Sequence, residues 1–253
     1  VKLPENEVHR GFWYSVASGD FDGNGYDDYI VGNLGENNRF NISDKYPLKI
    51  YATDLNLDGT IDPVMTGYWP DKNGEMKEFP VNYLDELTGQ TAFFKDKFRS
   101  YRAFSYATID DIFDKSLRKR IQLSLAINTA SSYVIWNDGG KLTWEKLPLP
   151  LQVSPITKMV VSDVNNDGYP DVVVSGNDYS WDVSTGYYDA NKGIILLSKG
   201  RQQGFNILQP SQSGLLLNGM AGSLLLLKGD TSLLIAGMNR AKTVVFEITD
   251  HKK

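Results

Sequence analysis

The sequence predicts a mainly β fold of repeated four-stranded sheets, with a helical insertion around residues 79–113. Apolar runs of a few residues, bounded by glycine, asparagine or aspartate, recur along most of the chain. A nine-residue acidic loop occurs three times between such runs, at residues 20–28, 54–62 and 163–171. Repeats spaced tens of residues apart indicate an array whose units bury their faces against one another, so we expect several similar sheets.

Short strands flank the first two acidic loops. Residues 12–17 lead into the first loop and residues 29–31 leave it, while residues 48–52 and 63–66 do the same for the second. These flanks are apolar, aromatic or β-branched, which favours strands over helices. The polar, asparagine-rich residues 36–44 between them predict a surface loop.

The apolar spacing changes between residues 79 and 113. Charged residues here alternate with apolar side chains that recur at mostly three- to four-residue intervals. These apolar side chains are Leu84, Leu87, Phe94, Phe98 and Tyr101. This spacing predicts one or two amphipathic helices that pack on a neighbouring sheet. The pair Asp110-Asp111 is either a degenerate acidic loop without metal or a helix end, and the pattern does not decide between them.

Strand signals return after residue 120. Strands are predicted at residues 121–127, 132–136, 158–161, 172–174, 194–197 and 205–208. The turn residues Asn137 to Gly140, and Lys199-Gly200, each predict a hairpin. Four leucine-rich or β-branched runs predict the four strands of a last sheet, at residues 215–217, 224–227, 233–236 and 243–248. The loop Lys228-Gly229-Asp230 lacks the acidic pattern, so this sheet should hold no metal.

Each acidic loop carries oxygen-bearing side chains at positions 1, 3, 5 and 9 and glycine at position 6. A hard cation such as Ca²⁺ takes roughly six to eight oxygen ligands, and a tight loop can supply them together with the backbone carbonyl of position 7. The predicted ligands are Asp20, Asp22, Asn24, Tyr26 and Asp28; Asp54, Asn56, Asp58, Thr60 and Asp62; and Asp163, Asn165, Asp167, Tyr169 and Asp171. About three Ca²⁺ sites are therefore expected, each structural because one short loop supplies every side chain.

Two other interpretations of the loops are less consistent with the sequence. An EF-hand needs a glutamate at position 12, where this chain has Val31, Met65 and Val174, and it needs flanking helices. A plain hairpin turn needs only its two central residues, whereas all three copies keep carboxylate or amide side chains at four positions. Metal binding is the interpretation that uses all four.

The strand–loop–strand unit resembles the FG-GAP or VCBS repeat, a calcium-loop blade of integrin α-subunit propellers and of many secreted bacterial proteins. The continuations Gly32-Asn33 and Gly176-Asn177 are similar to those of bacterial relatives of cartilage acidic protein, the ASPIC and UnbV group. The resemblance implies a β-propeller, or a partial propeller, with about four or five blades over residues 1–253. Other blades or subunits would complete a partial ring.

Composition narrows the class of partner and the compartment. The net charge of −5 provides no global field that attracts nucleic acid, and the chain has no cysteine for disulfides or thiol chemistry. The sequence contains no run of about 18 apolar residues, so we predict no membrane span. Weak calcium sites fill in the calcium concentrations found outside cells, so we expect an extracellular, cell-surface or periplasmic location. The start at Val1, without methionine or signal peptide, is expected of a mature or excised portion.

Binding is the function class that the sequence favours. Aromatic residues follow the acidic loops, and Trp69, Tyr179 and Trp181 are the candidates for contact with a protein or glycan ligand. The same side chains could instead pack within the sheets. The histidines, His9 and His251, lie near the ends of the chain, which disfavours a Ser-His-Asp triad, and we assign no catalytic residue. The alternative is a polysaccharide lyase or glycoside hydrolase built on a calcium-stabilised propeller.

Overall fold

The structure is a computed structural model that describes residues 9–182 and 185–249. Within these residues the strands, in chain order, are β1 (Ser15–Gly19), β2 (Asp28–Gly32), β3 (Leu48–Thr53), β4 (Asp62–Pro70), β5 (Met76–Pro80), β6 (Leu123–Ile127), β7 (Tyr133–Asp138), β8 (Lys141–Lys146), β9 (Lys158–Ser162), β10 (Asp171–Ser175), β11 (Ile194–Ser198), β12 (Phe205–Leu208), β13 (Ala221–Leu227), β14 (Ser232–Met238) and β15 (Val244–Ile248). The helices are α1 (Leu84–Gln90), α2 (Ala92–Lys97), α3 (Tyr101–Phe104), α4 (Ile109–Ile112), α5 (Lys115–Arg118) and α6 (Pro210–Ser213). The prediction of a mainly β fold is confirmed.

The strands form four antiparallel sheets, and the chain divides into two compact units. The first unit holds the sheets β1-β2-β7-β8, β9-β10-β11-β12 and β13-β14-β15. The second unit, which includes residues 40–129, holds the sheet β5-β4-β3-β6 and the helices α1 to α5. Residues 40–129 of the second unit lie in the chain between two paired strands, β2 and β7. The second acidic loop therefore belongs to the second unit, whereas the first and third loops belong to sheets of the first unit.

The sheet β9–β12 is buried on both faces in the first unit. Val172 packs in one apolar cluster with Ile30 and Trp136 of the sheet that begins with β1. Val173 points to the opposite face, because side chains alternate along a strand, and it packs with Leu234 of the last sheet. Strand β9 contacts both β1 and β13, so these three sheets follow one another in chain order.

The hairpin between β7 and β8 forms at the predicted turn. Gly139 and Gly140 both have positive φ, as a two-residue turn that matches the strand twist requires. The hairpin between β11 and β12 is also confirmed. Residues 36–44 form no strand or helix, in agreement with the predicted loop.

The last sheet has three strands among the described residues, so the prediction of four is wrong. Residues 215–217 form no strand, although Leu215 and Leu217 are buried. Their side chains pack in the apolar cluster between β10 and β14. Burial alone explains the leucines of this run, and a short apolar segment does not reveal whether its backbone pairs.

Helices α1 to α5 cover one face of the sheet in the second unit. Leu84, Leu87 and Phe94 pack in a cluster with Tyr51 and Val64 of the sheet, which confirms the predicted packing. Residues 79–113 hold four short helices, α1 to α4, where one or two were predicted, and α5 follows directly after this segment.

The structure corrects one prediction for the helical segment, at Tyr101, and answers the question left open at Asp110-Asp111. Tyr101 is 63% exposed and does not continue the buried stripe. Asp111 accepts hydrogen bonds from the backbone N–H and the hydroxyl of Thr108, both 2.8 Å, at the start of α4. Asp110-Asp111 therefore lies in a helix and not in a degenerate loop. None of the described helices is long and apolar enough to span a membrane.

Candidate metal loops and aromatic surface

The three acidic loops connect pairs of antiparallel strands: β1 to β2, β3 to β4 and β9 to β10. No helix flanks any of them, which excludes the EF-hand arrangement. In each copy the position 1 aspartate accepts hydrogen bonds from the backbone N–H groups of positions 5 and 6. In the first loop, Asn24 and Gly25 donate to the two carboxylate oxygens of Asp20, both at 2.9 Å. The corresponding distances to Asp54 and to Asp163 are 3.2 and 2.9 Å in each case.

Positions 3 and 5 repeat the same kind of contact one step further along each loop. The side-chain oxygen of position 3 accepts the N–H of position 5, at 3.1, 3.2 and 3.0 Å in the three loops. The side-chain oxygen of position 5 accepts the N–H of position 7, at 2.8, 2.7 and 3.0 Å. Such contacts between aspartate or asparagine and the backbone two residues on are typical of tight turns. They fix three side chains against the loop backbone in all three copies.

Position 9 anchors each loop to its sheet. Asp28, Asp62 and Asp171 are buried, and each accepts the backbone N–H of position 2, at 3.0, 2.9 and 2.9 Å. In the first and third loops the second carboxylate oxygen accepts an N–H from the next strand, from Asn137 (2.8 Å) and from Ser198 (2.9 Å). The loop, the strand that follows it and a neighbouring strand thus meet at one carboxylate.

Burial changes the titration of two of these anchors. Burial raises the pKa of Asp28, and the hydrogen bond from Asn137 offsets only part of that effect. The pKa of Asp171 is raised for the same reason, with partial compensation by the N–H groups of Val164 and Ser198. A cation beside these carboxylates would favour their charged form.

Two loop positions have a left-handed backbone. Position 6 is Gly25, Gly59 or Gly168, with φ of 88°, 88° and 93°. Position 4 is also left-handed, with φ of 75°, 64° and 56° at Gly23, Leu57 and Asn166. The requirement at position 6 was predicted from its glycine. The left-handed backbone at position 4 was not predicted, although glycine and asparagine, which tolerate positive φ, occupy this position in two of the three copies.

The oxygen-only donor set of the loops fits a hard divalent cation such as Ca²⁺. In the first loop, carboxylate oxygens of Asp20, Asp22 and Asp28 lie within 4.8 Å of one another. Among the described residues this is the one group of three acidic, histidine or cysteine side chains that converges so closely. In the second and third loops the position 3 amide donates to the position 5 carboxylate, from Asn56 to Asp58 and from Asn165 to Asp167, both at 2.9 Å.

The second loop has a further contact that the sequence did not predict. The guanidinium of Arg120 donates to the backbone carbonyl of Asp54. Arg120 precedes β6, which pairs with β3, so sheet pairing brings it to the loop. A contact over 66 residues of chain carries no local sequence signal.

The predicted ligand-contacting aromatics divide into packed and exposed side chains. Trp69 is half-buried on β4, with its ring against Gly67. Trp181 is also half-buried and makes edge contacts with Phe12 (5.7 Å) and Tyr188 (5.3 Å). Both tryptophans therefore have a packing role.

Tyr179 is the predicted aromatic that reaches the surface, where it contacts Tyr187 at a centroid distance of 4.7 Å. Tyr187 is 69% exposed and borders a pocket of about 400 Å³. Asn38, Arg39 and Asp189 also line this pocket and add polar groups beside the ring. The sequence identified the aromatic cluster, but not which of its members face solvent. Of the two histidines, His251 lies outside the described residues.

The Gly-Asn pairs at the ends of β2 and β10 have structural roles. Asn33 and Asn177 are buried, and their amides donate to the carbonyls of Ser131 (3.0 Å) and Gly219 (2.9 Å). At Gly32 a Cβ atom would lie 2.4 Å from the carbonyl oxygen of Ile156, so another backbone passes too close for a side chain. These pairs hold the ends of the strands and do not form part of the metal loops.

Comparison with known protein families finds an FG-GAP repeat at residues 12–44. This segment contains β1, the first acidic loop and β2. The FG-GAP part of the predicted resemblance is confirmed there, while the narrower resemblance to the ASPIC and UnbV group gains no support. No curated protein and no solved structure matches the chain.

Proposed function

We propose that this chain is a calcium-stabilised binding module of the propeller type, which acts outside the cell, at its surface or in the periplasm and recognises a protein or glycan ligand. The FG-GAP repeat at residues 12–44 suggests an adhesion or binding propeller. The mainly β fold, with three sheets in succession in the first unit, is consistent with part of such a ring. Rigid sheets with recognition loops at their ends are a common arrangement for binding proteins.

One observation carries the calcium part of the proposal. Three loops with different sequences and in different sheets share the same hydrogen bonds at positions 1, 3, 5 and 9. Each loop concentrates carboxylates, whose mutual repulsion a divalent cation would relieve. Because position 9 is buried within the sheet, bound Ca²⁺ would stabilise the strands on both sides of the loop.

Removal of one loop carboxylate tests this proposal. If Ca²⁺ binds with the affinity of extracellular modules, 10 mM calcium should stabilise each site by about 1.4–2.7 kcal/mol. We expect calcium to raise the Tm of the unaltered protein, and Asp167→Ala to reduce that rise. The measurement is calorimetric melting in calcium and in chelator.

Asp230→Ala is the matched control for Asp167→Ala. Asp230 is an exposed aspartate in the loop of the last sheet, which lacks the acidic pattern. This variant should keep the full calcium response. A Tm that is identical in calcium and in chelator would count against the calcium proposal, whatever the variants do.

The exposed pair Tyr179 and Tyr187 is the surface that we propose for recognition. Tyrosine combines a large apolar face with a hydroxyl group, which suits stacking on a sugar ring or anchoring a protein side chain. The neighbouring pocket of about 400 Å³ is within the size range of small-ligand sites, and Asn38, Arg39 and Asp189 could hydrogen-bond to a polar ligand. A glycan fits this combination of an aromatic face and polar groups.

A binding screen against neutral and acidic polysaccharides tests the surface. We expect retention of one glycan class, and at least a tenfold loss of affinity, roughly 1.4 kcal/mol, in Tyr187→Ala. Tyr106→Ala is the control, because Tyr106 has a similar exposure of 64% but lies in the helical unit. Equal loss in both variants would contradict the assignment. Release of product with turnover would favour a lyase or hydrolase instead.

A further sheet is proposed to complete the array beyond β13–β15. Leu225, Leu227 and Val245 are about half exposed and share the face that points away from the buried Leu234. Apolar faces of this kind are covered by neighbouring sheets in the rest of the first unit. Another blade or subunit packed here would bury this face in the same way.

A further inference from the structure

Two of the acidic loops meet where neighbouring sheets of the first unit pack together. The first loop joins β1 to β2, the third joins β9 to β10, and β1 contacts β9. The ring of Tyr169, at position 7 of the third loop, lies against Gly23, at position 4 of the first. A Cβ atom at Gly23 would be 2.9 Å from a ring carbon of Tyr169. A shift of one loop would therefore press on the other.

A chain of hydrogen bonds also links the anchors of these two loops. The carboxylate of Asp171, at position 9 of the third loop, accepts the N–H of Ser198 at 2.9 Å. The hydroxyl of Ser198 donates to the backbone carbonyl of Phe21. The N–H of Phe21 in turn donates to the carboxylate of Asp28, at position 9 of the first loop, at 3.0 Å. These hydrogen bonds form the Ser198 relay, which joins one position 9 carboxylate to the other.

The Ser198 relay is buried along its whole length. Phe21, Asp28 and Asp171 have no exposed surface, and Ser198 is 1% exposed. Hydrogen bonds in such surroundings are stronger than in water, and a buried polar group that loses its partner destabilises the fold. Order at one end of the relay therefore favours order at the other end.

The relay reaches the residues that are predicted to bind metal in the first loop. Phe21 occupies position 2, between the predicted ligands Asp20 and Asp22. Its side chain is fixed in the core, where its ring makes an edge contact with Phe205 at 5.8 Å. Because its ring, its carbonyl and its N–H are all held, the position of Phe21 constrains the ligands on either side of it.

We infer that the first and third loops bind Ca²⁺ cooperatively, and that the Ser198 relay transmits the coupling. The inference rests on the calcium binding proposed above. Calcium in the third loop orders Asp171 and, through the relay, Phe21 and Asp28. The first loop then loses less conformational entropy when its own ion binds. By linkage, calcium in the first loop strengthens binding at the third to the same extent.

The second loop has anchors of its own. Asp62 accepts the N–H of Leu55 at 2.9 Å, and Arg120 donates to the carbonyl of Asp54. These residues belong to the second unit. We expect the second loop to bind its ion without this coupling, so Asp58→Ala can remove its contribution from a titration.

Isothermal titration calorimetry with Ca²⁺ tests the coupling. In the Asp58→Ala background, Asp167→Ala leaves the first loop able to bind and Asp22→Ala leaves the third, so each association constant is measured alone. The product of the two constants measured with both loops intact should exceed the product of the separate constants by at least about fivefold. A ratio near one would overturn the inference.

The variant Ser198→Ala isolates the relay. It removes the hydroxyl that donates to Phe21 and keeps the N–H that donates to Asp171, so the ratio should fall towards one. Each loop variant removes the same charge with and without Ser198→Ala, so the change in the ratio measures the relay and not the lost charge. Ser154→Ala is the matched control and should keep the full ratio. Ser154 is 2% exposed, and its hydroxyl has no hydrogen-bond partner among the described residues.

Amide hydrogen exchange tests the relay without altering Ser198. In the variant with Asp58→Ala and Asp22→Ala, calcium should slow exchange at the N–H of Phe21 by a larger factor than at Ile30 of the same sheet. Equal slowing at the two amides, or a calorimetric ratio that Ser198→Ala leaves unchanged, would overturn the assigned route. Absence of calcium binding in the unaltered protein would instead refute the calcium proposal, and this inference with it, so the two failures are distinguishable.

Discussion

At the scale of single residues, the loops show which features are set by backbone geometry. Position 4 is left-handed in all three copies, yet only Leu57 carries a side chain that strongly disfavours that conformation. Gly23 and Asn166 adopt it at lower cost. Leu57 is 73% exposed, so packing does not compensate for the strain. The second loop therefore holds avoidable strain.

Leu57→Asn should raise the free energy of unfolding by about 1 kcal/mol, because asparagine tolerates the left-handed region better than leucine. Urea denaturation in the presence of chelator measures this change without a contribution from bound metal. Leu57→Ala is the control, since it removes the exposed side chain without favouring positive φ. If Leu57→Asn is no more stable than Leu57→Ala, strain at this position is not the cause.

The residue scale also shows where sequence patterns were sufficient. The spacing of aspartate, asparagine and glycine identified every loop and its flanking strands, because each of these interactions spans nine residues or fewer. Arg120 and the buried Asn33 were not predicted, since their partners lie far away in the chain. The sequence also did not predict which aromatic side chains are exposed. The candidate Trp181 is packed, whereas Tyr187, six residues further along the chain, reaches solvent.

At the scale of elements, the sheet of the second unit carries a polar network on one face. Lys49, Tyr51, Thr66 and Tyr68 all hydrogen-bond to the carboxylate of Glu78, at distances of 2.6–3.0 Å. Burial opposes the ionisation of Glu78, but the donors outweigh it and lower its pKa. The network ties β3, β4 and β5 together through one carboxylate.

This network predicts a specific dependence of stability on pH. Because the pKa of Glu78 is lower in the folded state, its stabilising effect is complete above the unfolded value of about 4.3. The effect is lost as the pH falls below that value through the folded pKa. Glu78→Gln should therefore be less stable than the unaltered protein at neutral pH, and the difference should shrink in acid.

Melting curves between neutral and acidic pH test this prediction. Glu75→Gln is the control, because Glu75, in the turn between β4 and β5, forms a more exposed ion pair with Lys77 of β5. Its effect on Tm should be small at every pH. A difference between Glu78→Gln and the unaltered protein that stays constant from neutral pH into acid would exclude Glu78 as the responsible group.

Helices and strands were predicted well where local periodicity determines them. They were predicted poorly where the structure depends on pairing with a distant strand. The helical segment followed from its three- to four-residue spacing, although its division into four short helices did not. The leucines at residues 215–217 satisfied the same criteria as a strand, yet they fill a core without pairing. Strand identity in such runs depends on a partner that the local sequence does not specify.

At the scale of the whole molecule, the main departure from expectation is the insertion. Strands β2 and β7 pair although residues 40–129, which belong to the second unit, separate them in the chain. Sequence repeats located the sheets but not this connection, because pairing between distant strands leaves no periodic signal. The propeller, its blade number and its completion by another blade or subunit remain predictions, which the three successive sheets of the first unit support.

The central claim is that the three acidic loops are calcium sites that stabilise the sheets. Equilibrium dialysis of the purified protein against radioactive calcium at millimolar concentration tests it most directly. We predict that roughly three ions bind per chain and that Asp167→Ala binds one fewer. Absence of bound calcium at that concentration, or an unchanged number in Asp167→Ala, would contradict the account.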